Sequence, residues 1–582
     1  ECDVSLVDSQ HLIFAFDFQL ESRTQEYDLM TKREYFEMLS YISRPSKDPF
    51  IYETMTDRLR RFAEQNPNRD AIVYYGHDMK RRSLSRQELL ESAESLASQF
   101  VQMGVKKGDG IGFCMNNSLN MAITNVAIMF AGGVPFFTGT QLKDGSDIAE
   151  RIDMMESKFF IVDADEGDTN WTIAQNILAS CKSNLCVIYN GKSSAPFKDM
   201  ICLEDIMKRP RVSVNLPDIY PEDLLLYFSS SGSTGTPKHV AQTHFSVMNW
   251  TAMTCKAFGM TEESIFFNDR PFSWAVGNLR TLLTMGVTRV MVDPLMTLSG
   301  KHVEELCRII QEERCNYVYV PGYIAQDMIS SSILHQDFKA VDVMLFAGER
   351  MPKRFAYLIG RFCRTLFVFY GTTELGGATC FSSQNPEEYE DGIAGIPHDG
   401  IEIKIVDENG DTVKRGASGE LFVRTIGRFV GYSKMPDLFE KVVDKAGWFH
   451  TGDIAHIRDD GNIVMDGRQA EVVSIGTLKF FPWEVEKVLL RCPGVKAAYA
   501  VGVPDIRLNQ VVCAVIMRRT ESLVTEEEIK KFCDENFVEV STAMGVTIKP
   551  RYVIFIDKIP LLGSGKINRN EIASIARLRL RL

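Results

Sequence analysis

Apolar residues recur at helical spacing after Ser85, at Leu89, Ala93, Leu96 and Phe100, and Gly104 closes the run. Ser85 and Glu88 make a capping box at its start, so a helix is predicted there. Ile111 to Met115 is a short continuous apolar run, as expected of a buried strand, and a second helix leads to a strand at Val134 to Phe137. The longest apolar stretch, Met121 to Phe137, contains Thr124, Asn125 and a Gly132-Gly133 break, and predicts a buried helix and strand rather than a membrane span. Another apolar run at Leu224 to Phe228 ends abruptly in turn chemistry. Strand and helix alternate again around Asn316 to Pro321, Val341 to Phe346 and Thr365 to Tyr370, the pattern of a parallel, doubly wound sheet. Past Asp391 the pattern changes to short strands and turns, with a hairpin marked by Asn409-Gly410 inside Ile401 to Arg424. After Arg468 come a helix capped by Thr525 and Glu528, with Ile529, Phe532 and Cys533 on its apolar face, and a strand at Tyr552 to Ile556. The expected fold is α/β: a large N-terminal doubly wound region with an added β-rich part (1–466), then a small α+β C-terminal domain (467–582). The boundary is expected near Asp466 to Ala470.

A length of 582 residues is far beyond one core and allows several domains. No internal repeat or low-complexity tract interrupts it. Lys and Arg number 65 against 77 Asp and Glu, a net charge of -12, which argues against general attraction to nucleic acid or an anionic membrane. An anionic substrate must therefore meet local positive charge. Thirteen cysteines without C-x-x-C pairs fit scattered core positions in a reducing compartment. The chain opens on Glu1, which leaves a removed or truncated leader open, and Leu580-Arg581-Leu582 only loosely resembles a peroxisomal terminus. The expected location is intracellular, either cytoplasmic or organellar, with mitochondrion and peroxisome both open.

The turn chemistry after Phe228 reads Ser229, Ser230, Ser231, Gly232, Ser233, Thr234, Gly235, Thr236, Pro237, Lys238. Glycines let backbone N–H groups converge on an anion, small hydroxyls add donors, and Lys238 adds charge, so the loop suits a polyphosphate. It is not a Walker A loop, because its glycines are three apart and Pro237 precedes the lysine. A Ser/Gly-rich surface linker would have the same composition.

Three further stretches carry chemistry. In Phe369 to Gly377, Tyr370 could stack on a purine, Thr373 could donate to a phosphate and Glu374 could hold Mg²⁺; a capped turn with a surface carboxylate is the plain alternative. Thr451-Gly452-Asp453 presents a carboxylate that could accept both hydroxyls of a ribose, or could simply start a hairpin. Gly563 to Ile572 places Lys566 on a glycine loop, either a surface turn or a cation delivered to a site formed elsewhere.

These four stretches together, spanning Leu226 to Ile572, resemble the adenylate-forming (AMP-binding) enzymes, which include acyl-CoA synthetases, firefly luciferases and peptide-synthetase adenylation domains. The resemblance implies that Ser230 to Gly235 and Lys238 hold phosphate. Tyr370, Gly371, Thr372, Thr373 and Glu374 match a Tyr-Gly-x-Thr-Glu element, with Thr373, Glu374 and Lys566 in catalytic roles and Glu374 toward Mg²⁺. It implies that Asp453 binds ribose, that Arg468 touches ribose and phosphate at a hinge, and that Lys566 is the adenylation lysine. Gly348, Glu349 and Arg350 match a strand end beside adenine. Arg270 to Asn278 matches the element lining the acyl and pantetheine channel, with Trp274 as an aromatic gate and Gly277 beside it. Ser273 stands where amino-acid-activating relatives keep an aspartate, which disfavours an amino acid substrate.

Three positions depart from the family pattern. His239 replaces a glycine and is expected to stiffen the exit of the phosphate loop. Ala470 stands at the hinge in place of Lys or Asp, and Thr477 replaces a glycine where the small, mobile domain would close over pantetheine. The resemblance implies an acyl-CoA synthetase using ATP, Mg²⁺ and CoA on a medium- or long-chain fatty acid, with no nucleic acid partner and no integral membrane span. The departures keep two rivals: a luciferase-like relative, and a regulatory nucleotide-binding protein with an impaired thioester step.

Overall fold

The structure is a computed structural model that describes residues 38–138, 145–182, 184–193, 200–230, 238–293, 303–333, 338–475, 478–537, 547–561 and 567–582. The helix expected after Ser85 spans Arg86–Gln102. Its capping box is formed, with the Glu88 N–H donating to the Ser85 hydroxyl and the Ser85 N–H donating to the Glu88 carboxylate. Leu89, Ala93, Leu96 and Phe100 are its buried stripe. The apolar stretch after it divides into the helix Leu119–Phe130 and the strand Val134–Phe137. Every residue from Met121 to Phe130 is buried, Thr124 and Asn125 included, as befits a largely apolar helix sandwiched between layers. No helix among the described residues is long and apolar enough to cross a membrane.

The two alternations of strand and helix build two sheets. In the eight-stranded one, Leu224–Ser230, Val134–Phe137, Gly110–Cys114, Phe159–Asp163, Cys186–Asn190 and Met200–Cys202 run parallel in that spatial order. The second, fourteen-stranded, contains the parallel run Asp70–Tyr75, Thr288–Val292, Ile265–Phe267, Tyr317–Tyr319, Val341–Phe346 and Cys363–Thr372. It then continues antiparallel into the β-rich part, through Gly376–Ser383, Ile393–Pro397, Ile463–Arg468, Phe449–Ile457, Gly419–Thr425 and Ile401–Val406. One apolar core draws on both sheets and on the helices between them, including Leu59, Phe100, Phe113, Ile128 and Trp250.

Two strands run further than their apolar pattern. Leu224–Ser230 extends past Phe228 because Lys238–Thr243 folds back against it, pairing Ser229 with His239 and Ser230 with Lys238. Cys363–Thr372 carries on through Tyr370 and Gly371 because Gly376–Ser383 returns beside it, pairing Thr372 with Gly376. Cross-strand pairing, which no local window contains, sets both ends. Asn409-Gly410 makes the expected reversal, closed by a Val406–Thr412 bridge, but Ile401–Val406 and Gly419–Thr425 pair only after a longer connection.

The C-terminal part has its own three-stranded sheet of Val495–Asp505, Asn509–Arg518 and Tyr552–Phe555. Ala498 and Ala500 face the helices Pro482–Leu489 and Glu526–Asn536, while Tyr499 and Val501 face the helix Arg569–Leu580. The capping box at Thr525 starts the Glu526–Asn536 helix as expected.

Gly376 turns the large sheet at its site-bearing end. It sits at φ +71°, and a Cβ there would fall inside the Trp250 ring. Gly376→Ala combines a left-handed backbone with overlap in a packed core and should cost about 2–4 kcal/mol in urea unfolding.

Candidate functional site

The hairpin ends described above converge. Gly431–Tyr432 pairs with Val240 and Ala241, which brings the Tyr432 hydroxyl to donate to Glu374 Oε1 at 2.9 Å. The ammonium of Lys238 lies 5.4 Å from the centre of the same ring. Gln242 Nε2 donates to the Thr373 carbonyl at 2.9 Å, and the Phe429 N–H donates to the Glu374 carbonyl at 2.7 Å. Burial, and then the Glu374 charge, push the Tyr432 phenol well up, so it stays a donor to that carboxylate. The Thr373–Glu374 turn is thereby held against the exit of the serine-rich loop.

A second carboxylate sits across the Phe449–Ile457 and Ile463–Arg468 strands, where Asp453 and Arg468 are register partners. Asp453 is only 4% exposed. Its Oδ1 lies 3.0 Å from Arg468 Nε, and its Oδ2 accepts from the Tyr370 hydroxyl at 2.7 Å. The Asp453 N–H donates to Thr451 Oγ1, whose own proton goes to the Leu421 carbonyl. Burial and the neighbouring carboxylate raise the Tyr370 phenol, and Asp453 raises the Arg468 guanidinium. Tyr370, Asp453 and Arg468, chosen separately in the sequence, are thus one bonded group.

Gly348, at φ +94°, ends the Val341–Phe346 strand, and the Tyr319 hydroxyl donates to the adjacent Ala347 carbonyl at 2.8 Å. Glu349 Oε1 accepts from the Gly322 N–H at the start of the Gly322–Ser330 helix. Arg350 is a joint: Nε donates to the Met465 carbonyl, Nη2 to the Asp391 carbonyl, and the guanidinium stacks 3.8 Å from the Trp483 ring centre. Trp483 in turn donates from Nε1 to the Asp466 carbonyl at 2.6 Å. The donors of Arg350 therefore go to the strand Ile463–Arg468 and its surroundings.

The Arg270 to Asn278 stretch is a buried turn. Arg270 makes a two-point ion pair with Asp269, at 2.9 and 2.6 Å, and faces the rings of Trp274 and Tyr323. Asn117 staples the turn, donating to the Arg270 carbonyl and accepting from the Phe272 N–H. Trp274 and Ser273 are half-buried. Gly277 is buried where a Cβ would strike the Pro271 carbonyl.

Two family models match the chain: AMP-binding enzyme over residues 59–433, and AMP-binding enzyme C-terminal domain over residues 484–566. The chain belongs to the AMP-binding enzyme family. Among curated relatives, a putative acyl-CoA synthetase, YngI, of Bacillus subtilis is 24% identical over 90% of this chain and 97% of its own length. The mitochondrial medium-chain acyl-CoA ligase ACSF2 of Mus musculus is 24% identical, covering 94% of this chain and 91% of that protein. Other relatives are named long-chain-fatty-acid, 4-coumarate and 2-succinylbenzoate CoA ligases. The crystal structure of the anthranilate CoA ligase AuaEII with anthranoyl-AMP superposes with a TM-score of 0.79 at 20% identity, over 92% of this chain and 99% of that one; this is a likeness of fold.

In this AMP-binding enzyme Ser231, Gly232, Ser233, Thr234, Gly235, Thr477 and Lys566 lie outside the described residues, and Ser230 is described by its backbone alone. The flanks are described: Ser230 pairs with Lys238, and Leu561 bridges Ile567. His239 faces inward, packed edge-on against Phe136 and Tyr227, and burial pulls its imidazole down to about 4. It is a neutral core ring next to Lys238. Ala470 is exposed in the short turn Gln469–Glu471. Among the described residues no cluster of three acidic, His or Cys side chains could hold a metal ion.

Sequence reasoning missed Tyr432, Gln242, Trp483 and His456. Tyr432, Gln242 and Trp483 act through partners remote along the chain, and His456 through Asp466 on the adjacent strand. His456 Nδ1 lies 3.0 Å from Asp466 Oδ1, and this hydrogen bond raises its pKa above the ordinary value. A raised His contributes stability that is complete below its unfolded pKa of about 6.5 and is lost as pH rises through the folded value. His456→Gln should therefore lower the melting temperature more at about pH 5.5 than at about pH 8.5.

Proposed function

We propose that this chain is an AMP-forming acid–thiol ligase, joining a carboxylic acid to CoA through an acyl-adenylate. The observation that carries the reading is the shared carboxylate of Asp453, held by Tyr370 and Arg468 beside the strand end that leads to Glu374. A ribose could bond to Asp453, the purine could lie on the Tyr370 ring beside Gly348, and phosphates could extend toward Thr373, Lys238 and the Ser230 to Gly235 loop. One carboxylate oxygen of the substrate would attack the α-phosphorus of ATP as its bond to pyrophosphate breaks. The CoA thiolate would then attack the acyl carbon, and AMP would leave. Glu374 suits Mg²⁺: Tyr432 takes Oε1, and this ion is commonly held by one or two carboxylates together with substrate phosphates. When bound it would neutralise charge on the phosphates.

The names of the relatives support a fatty acid of medium or long chain, although they also include aryl acids. The division into residues 1–466 and 467–582 belongs to the same proposal, with the smaller part carrying Lys566 to the site and Arg468 at the hinge. The joint of Arg350, Trp483 and Asp466 lies at that division. Thr477 and Ala470 favour a second reading, in which adenylation is intact and thioester formation is slow.

Lys566→Ala should nearly abolish pyrophosphate exchange, raising the barrier by about 2–4 kcal/mol, while ATP affinity moves only a few-fold. Exchange at the wild-type rate would remove Lys566 from the chemistry. Asp453→Ala should instead raise the KM for ATP by about 10- to 100-fold, the scale of a charged hydrogen bond, with a smaller fall in kcat. Steady-state kinetics on both variants separates the two roles.

A further inference from the structure

The backbone of the Thr373–Glu374 turn is fixed from two directions. Gln242, fully buried, donates from Nε2 to the Thr373 carbonyl at 2.9 Å, and its own Oε1 accepts from Ser246 Oγ at 2.7 Å. The Phe429 N–H donates to the Glu374 carbonyl at 2.7 Å. With both carbonyls tied, the Glu374 side chain is the part of the turn that a ligand meets.

That side chain is half-buried and engaged on one oxygen. The Tyr432 hydroxyl donates to Oε1 at 2.9 Å, and among the described residues nothing bonds to Oε2. Tyr432 is 6% exposed, and its ring is held on several sides. Its strand pairs with Val240 and Ala241, its carbonyl accepts from the Met435 N–H, and the Phe429 ring lies 4.9 Å away. The Lys238 ammonium faces the same ring at 5.4 Å. A packed ring thus delivers its one proton to one chosen oxygen of the carboxylate.

A carboxylate can hold a cation through one oxygen or through both. Ca²⁺ accepts either mode, in flexible shells with oxygens at about 2.3–2.6 Å. Mg²⁺ is smaller, demands near-ideal octahedral geometry at about 2.0–2.1 Å and gives up water reluctantly. A grip by both oxygens therefore suits the larger ion, and a donor fixed on Oε1 competes with any cation for that oxygen.

We propose that Tyr432 sets the metal preference of the site: by occupying Oε1 it makes Glu374 a one-oxygen ligand, which favours Mg²⁺ over Ca²⁺ beside the phosphates of ATP. Tyr432 is a positioning residue, acting through Glu374. The inference rests on the ligase reading above and adds to it the residue that selects the ion.

The test is calorimetric titration of the full chain with ATP, without an acid substrate, in Mg²⁺, in Ca²⁺ and in chelator. The expected result for the wild type is tighter binding with Mg²⁺ than with Ca²⁺. Tyr432→Phe keeps the ring that Lys238 faces and should shrink the Mg²⁺-to-Ca²⁺ affinity ratio by about tenfold, the scale of one hydrogen bond to a charged group. Its affinity for ATP in chelator should stay at the wild-type value. In a Glu374→Gln background the same substitution should leave the ratio where it is, because the effect passes through the carboxylate. A purely structural Tyr432 would weaken ATP binding alike in all three conditions. A ratio unmoved in Tyr432→Phe, a wild type that prefers Ca²⁺ or treats both ions alike, or a shift that persists in the Glu374→Gln background would overturn the proposal and leave the ligase reading standing. If Tyr432→Phe does not fold, the ratio in Tyr432→Met decides. Wild-type protein that binds ATP in none of the three conditions would remove the ligase reading and this inference with it.

Discussion

The change from parallel to antiparallel pairing along Cys363–Thr372 is the constraint on which the site depends. On one edge this strand follows Val341–Phe346 in parallel; on the other Gly376–Ser383 turns back against it. A parallel neighbour needs a long crossover, but an antiparallel one needs only a turn. The turn is Thr373 to Leu375; a Cβ at Gly371 would strike the Gly376 carbonyl across it, and at Gly376 and Gly377 it would strike Trp250 and Thr254 of the helix His244–Ala257. Tyr370 and Glu374 consequently leave the sheet within one short reversal, one toward Asp453 and the other toward Tyr432.

Buried charge is handled in contrasting ways around that reversal. Asp453 has a donor on each oxygen, and Arg270 has a two-point carboxylate partner. Such groups tolerate burial because their bonds replace those lost from water. Arg280 is met by a carbonyl, a hydroxyl and a ring face, with no acid among the described residues. Neighbouring guanidinium groups are thus compensated in different ways, Arg270 by a carboxylate and Arg280 by neutral acceptors and a ring face.

A third set of contacts ties the C-terminal part to the large sheet, with Lys479 paired to Glu408 among them. Trp483 presents its ring to Arg350 and its N–H to the Asp466 carbonyl, and the Asp466 carboxylate takes His456. Gly467 lies close against Phe481, where a Cβ would overlap the ring.

By itself the sequence determined the local elements. The capping boxes at Ser85 and Thr525, the buried helix after Ser118 and the α/β class follow from spacing and polarity within a few residues. The family was legible for the same reason, since its motifs are short and continuous. Only the tertiary structure decided where strands end, because Ser230 and Thr372 owe their extended backbone to partners across a hairpin. It alone joined Tyr370 to Asp453 and Arg468, set Tyr432 on Glu374 and turned Arg350 to Trp483. Those pairings span tens to more than a hundred residues, and a hydrogen bond's geometry exists only once both ends are folded into place. That Arg280 meets no acid among the described residues is likewise invisible along the chain, because a counter-ion is present or absent only with respect to everything packed around it.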